Sequence, residues 1–501
     1  MASEGSSWLI ETAASLARVR DALAATSRGR RASLLVEEAL ARKGVDYARL
    51  VVRARYWLPL RGEASLPWRS LEAEPLPPFT RVEASGVAVP LGAARGPIVV
   101  VDARGRGCKY VLDTYRSLET RGDVEAVVYV SEGPLRCPLY SEPLPPRAED
   151  PRLPAVVTHG ADAGKLMREL PVLLSIHAAA EEGYGYAPLY LAPPEGWEKL
   201  YLVSGYDHWL EGASSAFSTA AAIDAYSRLR ERGLSVGLVL LTATVYGEDV
   251  EWSLYWGSGA RRLSEALSAA GVTPLFLALE SLGLGDPSVR GSPVSAAAAE
   301  AAGLGYGGVF DAYTSSSWLR GAGPVAVIAP GPGRVAEAAG TPRDSLSKIG
   351  EGPVLRAARA AERLAASLLA ANRDAIVEAL AALFRLATPL PLPWTRRELY
   401  RLLRAARLGG LDPLLALASA ERILLAPLAV GGGRLCSLLD EECSGLLRRP
   451  SARLVYADRV LGDGDAAVRL LDSVVSSRLR LVADIAVENL LGDSPRGAPP
   501  N

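Results

Sequence analysis

Glutamine does not occur in this sequence of 501 residues, and asparagine occurs only at Asn372, Asn489 and Asn501. Methionine appears twice and histidine three times, as His159, His177 and His208. Lysine supplies five of the 55 basic residues (Lys43, Lys109, Lys165, Lys199, Lys348) and arginine the rest. A shortage of thermolabile amides fits a thermophile, although a GC-rich genome favours Arg, Ala and Gly equally. The four cysteines, Cys108, Cys137, Cys436 and Cys443, form no Cys-x-x-Cys, which argues against a structural zinc ribbon or finger. Buried free thiols are the first reading; disulfides Cys108–Cys137 and Cys436–Cys443 are the alternative, as found inside some thermophiles. Neither sign of charge dominates: the formal net charge is -1, so nothing favours nucleic acid or an anionic membrane as partner. No run of about 18 uncharged apolar residues exists; Leu411–Val430 is broken by Asp412, Glu421 and Arg422, so no membrane span is expected. The opening MASEGSSWLIETAASL carries Glu4 and no basic flank, unlike a secretory signal. These features together lead to the expectation of a cytoplasmic protein.

What is present is a large apolar fraction, 49%, enough for a sizeable core and two to four domains. Helical spacing covers Ser7–Ala25 and Arg31–Lys43, the second closed by Gly44. Ala48–Tyr56 reads as a strand, and the prolines at 67, 75, 77 and 78 read as a connector. Gly96–Asp102, Val124–Val130 and Leu153–Val157 are apolar strands, with helices at Lys109–Arg121 and Ala161–Leu170. Strands are expected again at Leu173–His177, Leu200–Val203, Gly237–Thr242, Pro274–Ala278 and Val325–Ala329. The later ones show no period-two alternation, which implies burial on both faces of a central sheet. Helices Ser215–Arg232 and Ser258–Ala270 alternate with them, the order of a three-layer α/β/α sandwich. Val354–Leu383 is apolar at helical spacing, interrupted only by Asn372-Arg373-Asp374. Further helices are expected at Arg396–Arg407, Pro413–Leu425 and Ala466–Leu490.

The most specific segment is Tyr201–Ala225, YLVSGYDHWLEGASSAFSTAAAIDA. An apolar strand leads into Gly205-Tyr206-Asp207, then Trp209, Gly212-Ala213 and a helix of small residues. A second is Leu241-Thr-Ala-Thr-Val-Tyr-Gly247, a third Leu277-Ala-Leu-Glu-Ser-Leu-Gly283, a fourth Gly340-Thr-Pro-Arg-Asp-Ser345. This set resembles the M28 family of zinc peptidases, with its pattern of strand, His-x-Asp, Gly-Ala-x-Asp-Asn and helix. The resemblance implies a mostly parallel central sheet and a two-metal site at the ends of its strands. It also implies that most ligands are missing. Gly205 stands at the first His, with Asp207 keeping the orienting carboxylate position. Ser215 stands at the bridging Asp. Thr244 and Val245 stand at the Glu-Glu pair, base and ligand; an alternative frame uses Glu248 and Asp249, which otherwise form a solvated acidic loop. Glu280 stands at the third carboxylate. Gly340 stands at the last His, ahead of a matching Thr341, Pro342 and Asp344. His208 is expected to pack or hydrogen-bond near the old pocket rather than bind metal, because adjacent residues on an extended chain point to opposite faces. Trp209, Tyr246, Glu248 and Asp249 are candidates for lining the pocket; Phe217, Trp252, Tyr255 and Trp256 read more readily as core. No metal is expected, with Asp207 and Glu280 as weak candidates. Zinc, served by a rearranged site, is the alternative. No GxxxxGK[ST] occurs for a phosphate, and Thr314-Ser315-Ser316-Ser317 has no positioned His to act as base.

Residues 83–170, in their strand–helix–strand–strand–helix order, resemble the protease-associated (PA) domain inserted in many M28 enzymes. The implied organisation is 1–82 plus 171–372 as the peptidase-like domain, 83–170 as the insertion, 373–492 as a C-terminal helical region and 493–501 as a disordered tail. Transferrin-receptor-like proteins share such an eroded site and serve as binding scaffolds. The resemblance therefore implies a non-catalytic binding or scaffold protein, with an active aminopeptidase or carboxypeptidase as the alternative. A homodimer, an active paralogue, or a peptide or protein ligand would be its partners.

Overall fold

The computed structural model describes residues 2–424 except 61, 94, 140–142, 145–146, 149–151, 161, 246–256, 310–314 and 410; it also describes 428–430, 434–436, 469 and 472–484. Four parallel strands make the centre of the principal sheet: Val325–Ala329, Leu275–Leu279, Leu200–Gly205 and Gly237–Leu241, in that spatial order. Ser288–Gly291 extends it antiparallel at one side. The C-terminal part of Val172–Ala192 and then Ala48–Pro59 extend it antiparallel at the other.

The central strands carry no period-two alternation and are apolar but for the buried Ser204, because both faces are covered. Alternate residues divide between the layers. Leu200, Leu202, Leu238, Leu240, Leu275 and Leu277 pack with helices Ala2–Ala17, Ala213–Glu231 and Glu351–Leu369. Tyr201, Val203, Val239, Leu241, Phe276 and Ala278 pack on the opposite side, with Ala260, Leu263 and Leu267 of helix Ser258–Ala269. The three-layer α/β sandwich expected from the alternation is the fold that forms. Helix Ala213–Glu231 has no polar face. Its alanines at 216, 220, 221, 222 and 225 let it sit closely between the sheet and the outer helices.

A second set of strands closes on itself. Val172–Ala192 pairs through its N-terminal half with both Gly62–Leu66 and Arg81–Pro90. The circuit continues through Arg69–Pro75, Ala155–Thr158, Ala126–Val130 and Ile98–Asp102 back to Arg81–Pro90. The interior of this ring is filled by Ala64, Leu71, Ala73, Val82, Ile98, Val100, Val128, Leu174 and Ile176. Helix Cys108–Glu119 covers part of its outside through Val111, Tyr115 and Leu118.

Several expectations need correction. The helix expected over Ser7–Ala25 ends at Ala17, because Asp21 and Ala25 take left-handed backbone and the chain turns toward the main sheet. The proline-containing stretch expected as a connector holds strands Gly62–Leu66 and Arg69–Pro75; Glu63, Ser65, Ser70 and Glu72 alternate there with buried Ala64, Leu66, Leu71 and Ala73. These strands, grouped by sequence with the peptidase-like part, bond into the ring. The strand expected at Leu173–His177 runs on to Ala192 through an Ala- and Gly-rich stretch with no strand signal. The helix expected across Val354–Leu383 is two, Glu351–Leu369 and Arg373–Ala387; the Asn372 side chain accepts a hydrogen bond from Ala375 N at 3.0 Å and starts the second. Free thiols are overturned for one pair, since Cys108 and Cys137 form a disulfide joining the start of helix Cys108–Glu119 to the 131–139 loop. The side chain of Cys436, all of Cys443, and the expected 493–501 tail lie outside the description. Among the described residues no helix is long and apolar enough to cross a membrane.

Because helix Ala213–Glu231 is packed on every side, Ala221→Leu is expected to destabilise the protein by ~1–3 kcal/mol. Leu34→Ala, at a 60% exposed position of helix Ser27–Arg42, should change stability by less than ~0.5 kcal/mol. Urea midpoints of the two variants against the parent protein test this contrast.

Candidate functional site

The carboxyl ends of the four parallel strands are where such a sheet presents chemistry. Three turns there hold a non-glycine residue in left-handed backbone: Leu210 after the strand ending at Gly205, Ala243 after Leu241, and Ser281 after Leu279. Backbone of this kind persists only where neighbours hold it, and it clusters at functional sites.

Asp207 is fully buried and faces the turn after Leu241. Its carboxylate accepts hydrogen bonds from Thr244 N (2.9 and 3.0 Å to its two oxygens), Thr244 Oγ1 (2.5 Å) and Val245 N (3.4 Å). Burial pushes its pKa up to about 6, against the pull of the Thr244 bonds. The group that should orient a metal-bound imidazole is thus occupied with holding the turn around Ala243. Gly205, beside it, has no room for a side chain: a Cβ there would lie 2.6 Å from Thr244 Cγ2.

Asp344 has a comparable duty. It accepts from Ser214 N at 2.7 Å and Ser214 Oγ at 2.8 Å. Gly212, preceding helix Ala213–Glu231, offers no side chain to cap it, so Asp344 supplies the negative charge at the helix start. Burial raises the Asp344 pKa to about 6 as well. Ser215 is half-buried one residue further on. Glu280, half-buried, accepts from Ser316 N at 2.7 Å.

Gly340 is left-handed (φ 70°), and a Cβ there would meet Arg136 O at 2.4 Å and Cys108 Sγ at 3.2 Å. Its carbonyl accepts from Arg136 N at 2.8 Å. The loop carrying Thr341-Pro342-Arg343-Asp344 is therefore seated on the ring, with Pro342 against Gly133 and the Arg343 guanidinium donating to Gly105 O.

His208 is buried. Its Nε2 lies 3.0 Å from Val19 O and its Nδ1 3.3 Å from Tyr206 O, while burial lowers its pKa. Both ring nitrogens thus face backbone carbonyls. Trp209 was a pocket candidate, but it packs edge-on against Trp57, with Leu23, Leu210 and Val245 around it. Aromatic surface of this size is buried when it can be, which takes Trp209 into the core. Phe217 is core too. Tyr246, Glu248 and Asp249, with Trp252, Tyr255 and Trp256, lie outside the described residues.

The residue that sequence reading missed is Arg136. It is 4% exposed and bonds Asp21 (3.3 Å) on the peptidase-like side and Glu74 (2.7 Å) on the ring. Asp21 also accepts from Leu210 N at 2.9 Å. Burial raises the Glu74 pKa, but His159 and Arg136 outweigh it and bring it down to about 2. One arginine in Pro-Leu-Arg-Cys-Pro carries no local signal of such a role; only the disulfide at the next residue hints that the loop is fixed.

A zinc pair does not fit this arrangement. Gly205 and Gly340 have no side chain and no space for one, Val245 has no donor atom, and the Asp207 oxygens are committed to backbone N–H groups.

No protein-family model matches the chain, and no curated protein sequence does. Solved structures do match. A peptidase M28 precursor from Shewanella amazonensis is similar at 18% identity, with a TM-score of 0.56, covering 73% of this chain and 93% of that one. A zinc aminopeptidase from Bacillus subtilis is similar at 14% identity, with a TM-score of 0.52, covering 72% and 94%. At such identities the likeness shows the fold: the chain has an M28-like architecture.

Gly205→His alone is expected to cost ~1–3 kcal/mol by overpacking against Thr244. Combined with Thr244→Ala, the loss should be smaller than the sum of the two single variants; additive unfolding energies would contradict the contact. The pH dependence has a definite sign. An aspartate raised from the usual range to about 6 contributes stability present below about pH 4 and lost as pH rises through 6. Asp207→Asn should flatten that part of the stability–pH curve between about pH 4 and 6, by on the order of 1 kcal/mol or more. Denaturant midpoints at several pH values measure it.

Proposed function

We propose that this protein carries a peptidase fold without peptidase activity and serves as a binding or scaffold protein. The observation that carries the reading is steric: at Gly205 and Gly340, where the M28 pattern calls for imidazoles, neighbouring atoms occupy the place of a Cβ. Thr244, at the position of the general base, offers a hydroxyl that donates to Asp207 and has no basicity at neutral pH. A metal-bound hydroxide needs about three protein ligands, and a carboxylate or imidazole must then take its proton. Neither requirement is met by these residues.

The ring of strands, PA-like by resemblance, is held on the peptidase-like part by Arg136 and by the seating of Gly340 and Pro342. That union supports a fixed binding surface rather than a mobile cover over a working site. The test is hydrolysis of a panel of aminoacyl anilides by purified protein, with Zn²⁺, Mn²⁺ or Co²⁺ supplied. No turnover above the blank is expected. Chelator-sensitive hydrolysis that Glu280→Gln abolishes would restore the aminopeptidase reading.

A further inference from the structure

We propose that Glu72, Glu74 and His159 bind one zinc-class divalent cation on the outer wall of the strand ring. The proposal does not depend on loss of the peptidase site. Among the described residues this is the one group of three or more His, Cys, Asp or Glu whose donor atoms all lie within 4.8 Å of one another. The register explains why. Strand Arg69–Pro75 pairs antiparallel with Ala155–Thr158, Ala73 opposite Thr158 and Glu74 opposite Val157. Glu72 and Glu74, two apart, project from the same face. His159, the first residue past Thr158, continues the partner strand alongside Glu72.

Two further observations point to a cation. The His159 Nε2 atom is buried and makes no hydrogen bond of ordinary length; the Glu74 carboxylate oxygen that faces it is 3.7 Å away, at ion-pair distance only. A buried ring nitrogen without a partner is costly, and coordination would satisfy it. Glu63 also stands directly opposite Glu72 on the neighbouring strand, a pairing of like charges that destabilises a sheet unless something positive lies near. Arg136 neutralises Glu74, and Ser70 Oγ donates to Glu63 at 2.9 Å, whereas Glu72 is exposed and bonds neither of these groups.

One imidazole with two carboxylates suits Zn²⁺ and related transition ions better than Mg²⁺ or Ca²⁺, which favour oxygen alone. Three protein ligands leave a coordination position for water, on the side where Glu72 is exposed. The ion would tie strand Arg69–Pro75 to the end of Ala155–Thr158 beside the Arg136 bridge.

Chelator-stripped full-length protein, equilibrated with micromolar free Zn²⁺ and analysed for bound metal, tests the site. One zinc ion per chain is expected, with the affinity reduced at least about tenfold in both His159→Ala and Glu72→Gln. Asp207→Asn and Glu280→Gln should leave binding unchanged. Cobalt substitution gives a second readout, a visible absorption band that His159→Ala removes. Absence of bound zinc, or zinc retained at full affinity in His159→Ala, would overturn the proposal. Zinc lost on Asp207→Asn or Glu280→Gln instead would overturn it too, and would also count against a dead peptidase site.

Discussion

The strand Val172–Ala192 is hydrogen-bonded into both halves of the molecule. Its first residues close the ring between Gly62–Leu66 and Arg81–Pro90, and its last residues join the principal sheet beside Gly237–Leu241. Ala48–Pro59 runs antiparallel to it across the junction, from Pro59 opposite Ala180 to Ala48 opposite Leu191. A shared pair of strands cannot hinge without breaking ladder bonds, so the relation of ring to sandwich is set by backbone pairing before any side chain contributes. Arg136 then operates within a geometry already fixed. Its burial costs several kcal/mol of lost hydration, which only two well-placed carboxylates can offset. Asp21 and Glu74 come from the two sides, so the ion triad registers one part against the other.

The polar groups at the strand ends follow from that fixed geometry. By resemblance, Asp207 stands where an M28 site orients a metal-bound imidazole, and Asp344 belongs to the motif that follows the last histidine. Here Asp207 and Asp344 are drawn inward to satisfy backbone N–H groups, one in the turn at Ala243 and one at the start of helix Ala213–Glu231. Burial leaves both carboxylates partly desolvated despite their hydrogen bonds, and both pKa values rise to about 6 for that reason. Both carboxylates thus serve the structure, one holding a turn and one a helix start.

Much of this architecture was legible in the residues. Unbroken apolar runs such as Val325–Ala329 and Gly237–Leu241 declare a sheet covered on both faces, and the small-residue helix after Gly212 declares tight packing. The peptidase-like frame around Gly205, Glu280 and Gly340 could be read because turns keep their Gly, Thr and Pro for backbone reasons. Other features had no local signal. The extension of the Val172 strand through Ala178–Gly185 depends on pairing with Ala48–Pro59, a partner more than a hundred residues distant. The break at Ala17 is imposed by contacts of Asp21 and Val19 with Leu210 and His208. Trp209 looked like a pocket residue because its neighbours were aligned to a cleft, yet the 18–26 segment brings Leu23 over it. The Glu72–Glu74–His159 group joins residues on two strands 85 positions apart that only the ring's register makes neighbours.

Ala243 and Ser281 keep left-handed backbone that glycine would adopt with no steric penalty. In an enzyme, relaxing such turns would trade turnover for robustness, since the distortion positions reacting groups. Where the distortion positions none, the two turns are places where the chain can gain durability by relaxing to glycine.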